Sequence, residues 1–393
     1  MRIPSAFPTS ALFLFLTGCT AYEFTPVSPI ALVERNDAHV VGAQGGLRPD
    51  IMMLVDRSGS MKTEDVQGQA SRLGQVQSTM KQFLGANPTV ARFGVVAFSS
   101  LTGTSSCSPA QLSDIAGFGV DIPNTDDLAL LSSTSAKVNT MIQGLSPGGS
   151  TPTAESLRNL ASYGPLTASD PGRDRFVLLM TDGLPNCNPD NPNNSCTVDN
   201  PLCRCTGNGC TPSKPTTCAR DCLDADASVA AVTTLRNANI KTIVIGFGAE
   251  TAQGDAADTL NGMALAGGFE RTCPNGQASE CNALDPSDGC DLVTHTCLKR
   301  FYQARNGDQL ASALAAIIGR LPVTCKYTLT QIPEDPRFLS VSVNGVSVAP
   351  SADTWAYANG VITFPEAGPI CKQLNSSTKA NPVTLEFRIL NHL

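Results

Sequence analysis

Three short segments of this 393-residue chain carry oxygen-bearing side chains at spacings that suit a metal ion. In the first, a carboxylate and two hydroxyls occupy alternating positions at Asp56, Ser58 and Ser60. The second segment is a loop that contains Thr151, and the third contains Asp182. Carboxylate and hydroxyl oxygens are hard ligands, of the kind that Mg²⁺, Mn²⁺ and Ca²⁺ prefer. The residue types therefore predict a divalent-cation site.

The flanking sequence predicts how these side chains are positioned. Residues 51–55 and 176–180 are apolar runs of the kind that forms buried parallel strands. Asp56 and Asp182 come at the carboxyl ends of these two strands, where open α/β sheets bind ligands. Thr151 lies in a Gly-rich loop that opens a helix. We therefore expect all three segments to meet at one edge of a sheet.

The order Asp-x-Ser-x-Ser, then Thr, then Asp resembles the metal-ion-dependent adhesion site of von Willebrand factor A domains, the fold shared by integrin inserted domains. This resemblance implies that Ser58, Ser60 and Thr151 are direct metal ligands, and that Asp56 and Asp182 bind directly or through water. Mg²⁺ fits such a compact octahedral site, with Mn²⁺ and Ca²⁺ as alternatives. A carboxylate of the bound ligand would complete the coordination. A degenerate site that keeps the fold without the metal is the alternative.

Periodicity indicates an α/β domain with a doubly wound, mostly parallel sheet over residues 49–321. The expected strands and helices alternate along the chain. The expected strands are residues 51–55, 93–98, 175–181 and 240–247, and the expected helices are residues 64–84, 138–145, 153–160, 225–238 and 310–321. Beyond residue 321, alternating apolar residues and the turn dipeptide Asn344-Gly345 predict a small β domain over residues 322–393. Trp355 is its expected core anchor.

The N-terminus carries features of a bacterial lipoprotein. A positive charge at Arg2 and a short apolar stretch precede Leu16-Thr17-Gly18-Cys19, which resembles a lipobox. We expect a signal peptide over residues 1–18, an acylated Cys19, and a tether over residues 19–48. Because Thr rather than Asp follows Cys19, the resemblance implies the outer membrane. An ordinary signal peptide that is cleaved elsewhere is the alternative.

The other fourteen cysteines form an even set, which predicts disulfides in an oxidising compartment. Seven of them lie in a Cys-rich insert at residues 185–223, so one needs an outside partner, and Cys107 is the candidate. Zinc bound near Cys203 and Cys205 is the alternative. The four cysteines of a second insert, residues 273–297, can pair among themselves, and we expect Cys325 to pair with Cys371. The full expected set is Cys107, Cys187, Cys196, Cys203, Cys205, Cys210, Cys218, Cys222, Cys273, Cys281, Cys290, Cys297, Cys325 and Cys371.

Charge and histidine content narrow the function. The formal net charge is −7 and there is no basic run, which makes nucleic acid a poor partner. The three histidines, His39, His295 and His392, lie in the expected tether, the second Cys-rich insert and the chain end, without a paired Ser or Cys context. We therefore expect a binding protein and not an enzyme.

The whole architecture resembles the myxobacterial gliding-motility lipoprotein adhesins of the outer membrane. This resemblance implies a surface-exposed, lipid-anchored adhesin that couples envelope motility proteins to the substratum. Its ligand would be a protein or a surface that offers a carboxylate. The alternative is an envelope scaffold or assembly subunit that docks a partner protein through the same metal site.

Overall fold

The computed structural model describes residues 32–41, 48–103, 105–168, 173–188, 190–191, 203–206, 220–283, 285–321, 325–329, 332–365, 368–375 and 383–392. The predicted signal peptide and the predicted lipidation residue Cys19 lie outside these ranges, as do Cys196, Cys210 and Cys218. Within the described ranges, the helices are all too short or too polar to cross a membrane.

Strands and helices alternate through the first three quarters of the chain, and strands dominate the rest. In chain order the strands are β1 (Leu32–Val41), β2 (Asp50–Asp56), β3 (Arg92–Phe98), β4 (Arg175–Thr181), β5 (Ile240–Phe247), β6 (Cys290–Asp291), β7 (Thr296–Cys297), β8 (Tyr302–Ala304), β9 (Lys326–Thr328), β10 (Leu339–Val343), β11 (Val346–Val348), β12 (Ala356–Ala358), β13 (Val361–Thr363) and β14 (Val383–His392). The helices are α1 (Arg72–Ala86), α2 (Leu112–Gly117), α3 (Leu128–Gln143), α4 (Thr153–Leu160), α5 (Gly164–Thr167), α6 (Ala225–Asn237), α7 (Gly254–Gly267), α8 (Gly307–Arg320) and α9 (Pro369–Asn375).

A five-stranded parallel sheet with the order β3-β2-β4-β5-β8 forms the centre of the larger domain. Successive residues of β2 point to opposite faces, and both faces are covered by helices. Met53 and Val55 pack with apolar residues of α1, α3 and α8. Met52 and Leu54 pack with apolar residues of α4, α6 and α7. Burial on both faces explains the uninterrupted apolar run of β2, and it confirms the predicted doubly wound sheet.

The order of the strands places a crevice above β2. The chain passes from β2 to β3 on one side, and later returns to β4 on the other side. Connections that diverge in this way leave an opening at the carboxyl ends of the strands. Val55 lies opposite Met180 in the β2–β4 ladder, so Asp56 and Thr181 emerge side by side at that edge. The sheet thus positions the first and third predicted metal-binding segments together.

The C-terminal β region contains two antiparallel sheets, with the orders β1-β14-β10-β11 and β12-β13-β9. Asn344 and Gly345 have φ angles of 51° and 77°, so they form the predicted tight turn between β10 and β11. Trp355 is only 4% exposed, and its Nε1 donates a hydrogen bond to the Val348 carbonyl oxygen at 2.7 Å. Its predicted role as a core anchor is confirmed.

The prediction of a tether over residues 19–48 is wrong for residues 32–41, which form the strand β1. This segment pairs antiparallel with β14 along its whole length, from Leu32 opposite His392 to Val41 opposite Val383. Its centre is polar and does not alternate, so the sequence carries no strand signal. Its regular structure comes from the ladder with β14, about 350 residues away. The N-terminal segment therefore completes the C-terminal sheet.

The largest differences from the predicted helix boundaries are the starts of α1 and α3. Helix α1 begins at Arg72 and not near residue 64, because the Ser71 hydroxyl caps it by accepting a hydrogen bond from the Gly74 N–H. Val66, which the periodicity placed on the helix, lies before it and is 54% exposed. Helix α3 begins at Leu128, ten residues earlier than predicted, after Asp127 caps the Leu130 N–H. Side-chain caps, and not the apolar periodicity, mark both starts.

Five disulfides join the described residues, and they agree with the predicted pairing scheme. Cys107 pairs with Cys187, which confirms Cys107 as the outside partner of the Cys-rich insert. The other pairs are Cys203–Cys222, Cys273–Cys290, Cys281–Cys297 and Cys325–Cys371. Cys205 is also disulfide-bonded. Because Cys203 and Cys205 are both oxidised, neither is a thiolate ligand for zinc.

Candidate metal site

Asp56 lies at the bottom of the candidate site and is fully buried. Its Oδ1 accepts a hydrogen bond from the Ser58 N–H at 2.7 Å, and its Oδ2 accepts one from the Thr181 hydroxyl at 2.6 Å. These two bonds fix the carboxylate between the ends of β2 and β4. Thr181 is a residue that the motif did not identify, although it directly precedes Asp182. Its hydroxyl orients Asp56.

A chain of hydroxyls leads from Ser58 to Asp182. The Ser58 and Ser60 Oγ atoms are 3.0 Å apart, and the Ser60 hydroxyl donates to Asp182 Oδ1 at 2.8 Å. Ser58 and Asp182 are buried, whereas Ser60 is half-buried and reaches the surface of the crevice. The oxygens of both predicted segments therefore converge on one small volume that opens to solvent beside Ser60.

Thr151 lies at the same place. A Cβ on Gly183 would lie 3.6 Å from the Ser60 Oγ and 3.8 Å from the Thr151 Oγ1, so both hydroxyls face the backbone of Gly183. The Thr151 N–H donates to Asn186 Oδ1 at 2.8 Å, and the Asn186 N–H donates to the Thr151 carbonyl at 2.9 Å. Asn186 thus fixes the Thr151 loop to the start of the Cys-rich insert. The sequence motif did not identify this contribution.

Arg72 is the most important neighbour that the sequence analysis missed. This guanidinium is 2% exposed and lies against Asp182, with Nη1 2.9 Å from Oδ2. It also contacts Asp65 at 2.6 Å and Glu250 at 3.1 Å. Gly248, with a φ of 93°, leaves room for it, because a Cβ there would lie 2.8 Å from Arg72 Nε. Arg72 is the first residue of α1, where a cation opposes the helix dipole, but the predicted start near residue 64 hid this signal.

The two carboxylates share one electrostatic environment. Burial, followed by the nearby charge of Asp182, raises the pKa of Asp56 to about 7. Burial also raises the pKa of Asp182, although hydrogen bonds from Arg72 and Ser60 act in the opposite direction. Two buried acids at close range are costly to ionise unless a positive charge joins them. A bound cation would supply that charge.

The donor set fits a hard divalent cation. All five predicted residues contribute oxygen, and they combine two carboxylates with three hydroxyls. Across the described ranges, no group of three or more His, Cys, Asp or Glu side chains is arranged to hold a metal. The site therefore differs from a carboxylate cage or a zinc centre, and its hydroxyls leave much of a divalent charge uncompensated. Asp56, Ser58, Ser60, Thr151 and Asp182 would hold the cation.

Comparison with known proteins agrees with this fold. Residues 51–184 match the family model of the von Willebrand factor type A domain, which is about a third of the chain. The central parallel sheet with helices on both faces is the fold of that domain. No curated protein matches this chain by sequence.

Several solved structures are similar at low identity. The pilus adhesin SpaC from Lactobacillus rhamnosus GG is 15% identical, with a TM-score of 0.45, over 92% of this chain and 42% of SpaC. The vWF domain of the type V pili tip protein Mfa5 from Porphyromonas gingivalis is 17% identical, with a TM-score of 0.36, over 70% of this chain and 95% of that domain. Manganese-loaded TRAP protein from Plasmodium vivax is 14% identical, with a TM-score of 0.29, over 60% of this chain and 67% of the TRAP chain. This chain thus spans less than half the length of the SpaC structure.

Proposed function

We propose that this protein is an adhesin that binds a carboxylate of its ligand through a divalent cation, Mg²⁺ in the first instance, with Mn²⁺ and Ca²⁺ as alternatives. The observation that carries the proposal is the convergence of hydroxyl and carboxylate oxygens from β2, β4 and the Thr151 loop. These oxygens meet in a crevice that opens to solvent beside Ser60. An external ligand can therefore reach a cation held there.

The charge balance supports an external carboxylate as the missing ligand. Three of the five metal-binding residues are neutral, and Arg72 takes Oδ2 of Asp182 for an internal ion pair. A divalent cation at this site would keep a large part of its positive charge. Such a cation attracts an anionic oxygen from outside the protein. Arg72 thus favours ligand binding at the expense of tighter cation binding.

The cellular role rests on the sequence resemblance. We propose that Cys19 is acylated, that it anchors the protein in the outer membrane, and that the protein couples the gliding-motility machinery of the envelope to the substratum. The β1–β14 ladder supports a further detail, because a pull on an N-terminal anchor would be transmitted into the C-terminal sheet. Replacing Cys19 with Ala should release the protein from membranes without unfolding it.

Attachment assays with matched variants test the proposal. Cells with wild-type protein should attach in Mg²⁺, detach in a chelator, and reattach when Mg²⁺ is restored. Asp56→Ala should abolish attachment, whereas Asp258→Asn, which changes one exposed carboxylate on α7, should leave it unchanged. Protease shaving of intact cells should remove the domain. A domain that is protected from protease in intact cells, with intact attachment, would instead support a scaffold inside the envelope.

A further inference from the structure

A groove lies beside the candidate metal site, between the start of α4 and the Cys-rich insert. One part is a cavity of about 500 Å³, which is lined by Pro152 and Asn186, the two residues that flank and fix Thr151. A second cavity of about 460 Å³ continues from it. The two cavities share the lining residues Arg158, Asn188, Asp190 and Asp224. A volume of this size accommodates a side chain with its adjoining backbone, and not merely a single ion.

Asp224 lines both cavities and carries an oxygen that lacks a partner. The residue is 3% exposed. Its Oδ1 accepts a hydrogen bond from Asn188 Nδ2 at 2.8 Å, but within the described part of the chain its Oδ2 has no hydrogen-bond partner. Burial raises the pKa of Asp224. An unpaired carboxylate oxygen is costly to bury, so a donor that arrives with a ligand would remove an existing penalty.

The arginines of the groove are already paired with acids. Their charges are offset at short distances by neighbouring carboxylates: Arg158 with Glu155 at 2.7 Å, Arg220 with Asp221 at 3.0 Å, and Arg204 with Asp255 at 2.6 Å. These guanidiniums therefore contribute little attraction for an anion.

Three acids of the groove lack a direct ion pair, although the charge of Arg158 acts on Asp224 from beyond ion-pair distance. Asp190 and Asp226 line it together with Asp224, and in the described ranges none of the three forms an ion pair. Asp190 and Asp226 are exposed at the mouth, whereas Asp224 is buried at the wall. Among the described lining residues, acids thus outnumber arginines, and one acceptor at the wall is unsatisfied.

We propose that this groove binds the guanidinium or ammonium group of a basic side chain, Arg or Lys, carried by the protein ligand. Asp224 Oδ2 accepts a charge-assisted hydrogen bond from it, and Asp190 and Asp226 add attraction at the mouth. The assignment to the same ligand whose carboxylate meets the cation rests on the proposed function. A ligand with a carboxylate and a neighbouring basic residue would then fit both sites, and this pairing supplies specificity that a bare cation lacks.

Binding of a small cationic probe to the full chain tests the groove by itself. N-acetyl-argininamide carries the guanidinium but no carboxylate, and N-acetyl-citrulline amide is its uncharged counterpart. In a chelator, the arginine probe should bind at least tenfold more tightly than the citrulline probe, as followed by NMR. Asp224→Asn keeps one side-chain oxygen that can accept from Asn188, but it removes the negative charge. It should weaken binding of the arginine probe at least tenfold. Asp258→Asn, an exposed acid outside the groove, should have no effect.

Several outcomes would overturn the proposal. Equal binding of the two probes, or unchanged binding in Asp224→Asn, would show that the groove does not recognise a cation. Binding of sulfate that depends on Arg158 and Arg220 would show that it recognises an anion instead. If Asp224→Asn does not fold, Asp190→Asn at the exposed mouth decides the question, because it should weaken the arginine probe at least threefold.

The metal site and the groove can fail independently. Asp56→Ala removes a metal-binding carboxylate. Because Asp56 does not line the groove, this variant should bind the arginine probe as wild type does. Loss of cation-dependent attachment with intact probe binding would therefore count against the proposed function alone. Conversely, the Asp224→Asn variant should lose binding of the arginine probe but keep Mg²⁺ binding.

Discussion

Replacing Arg72 with Met tests the electrostatics of the candidate site. The substitution keeps an unbranched side chain of similar length but removes the charge that lies 2.9 Å from Asp182. Arg72 is 2% exposed and Asp182 is fully buried, so the change leaves a buried acid without its cation. Breaking a buried pair from one side costs about 3–5 kcal/mol. We expect a loss of that size in the free energy of unfolding, measured by chemical denaturation in a chelator.

Mg²⁺ should reduce that loss. A bound cation offsets the charge of Asp182, so it compensates for part of what Arg72 supplied. If the variant binds Mg²⁺ tenfold more tightly than wild type does, saturating Mg²⁺ recovers about 1.4 kcal/mol of the lost stability. Ligand binding should weaken in the same variant, because a better neutralised cation attracts an external carboxylate less strongly.

Arg158→Met is the matched control for this experiment. Its ion pair with Glu155 is exposed, with 39% and 51% of the two side chains accessible. Exposed pairs contribute about 0–1 kcal/mol, so the control should lose little stability. Because its metal site is intact, Mg²⁺ should stabilise the control as much as it stabilises wild type. The reasoning is refuted if Arg72→Met costs less than about 1 kcal/mol in the chelator, or if Mg²⁺ stabilises it no more than it stabilises wild type.

Three other outcomes follow from the same contacts. In a chelator, stability should fall as the pH rises from about 4 to about 7. Burial and the charge of Asp182 raise the pKa of Asp56 from 3.8 to about 7, so the folded state retains a proton that the unfolded state releases. Denaturation across this pH range should show the slope, and a slope that persists unchanged in Asp56→Asn would contradict the assignment. Asn186→Ala removes the acceptor of the Thr151 N–H and should weaken Mg²⁺ binding by about tenfold with the fold intact, as the loss of one partly buried hydrogen bond allows. Calorimetry that gives wild-type affinity would exclude a positioning role. Replacing both Cys107 and Cys187 with Ser opens an 80-residue link and should cost about 2–4 kcal/mol of unfolding free energy, so an unchanged denaturation midpoint would show that this disulfide adds no stability.

The parts of the fold that the sequence predicted are those set by local pattern or by the cysteine count. Residues of β2 and β4 are apolar without interruption because helices cover both faces of the sheet, and this signal is visible in any short window. The partner of the Cys-rich insert could be predicted from cysteine parity, and the Cys107–Cys187 pair confirms it. The turn at Asn344-Gly345 depends on two adjacent residues alone.

Arg72, β1 and Asn186 were missed because their roles depend on contacts across long stretches of chain. Arg72 meets Asp182 over 110 residues and Glu250 over 178 residues, so no short window around Arg72 contains these two partners. Strand β1 has a polar centre and becomes a strand only against β14. Asn186 resembles the other polar residues of the Cys-rich insert until the fold brings it to Thr151. The motif identified residues for binding a cation, and the tertiary structure adds those that position them.

Calorimetric titration of Mg²⁺ into chelator-treated, full-length protein tests the central claim most directly. The account predicts one binding site per chain, loss of that site in Asp56→Ala, and unchanged binding in Asp258→Asn. Titration of a ligand carboxylate, with acetate as the simplest probe, should then require Mg²⁺. Wild-type protein that binds no divalent cation, or an Asp56→Ala variant that binds it as tightly as wild type, would contradict the account.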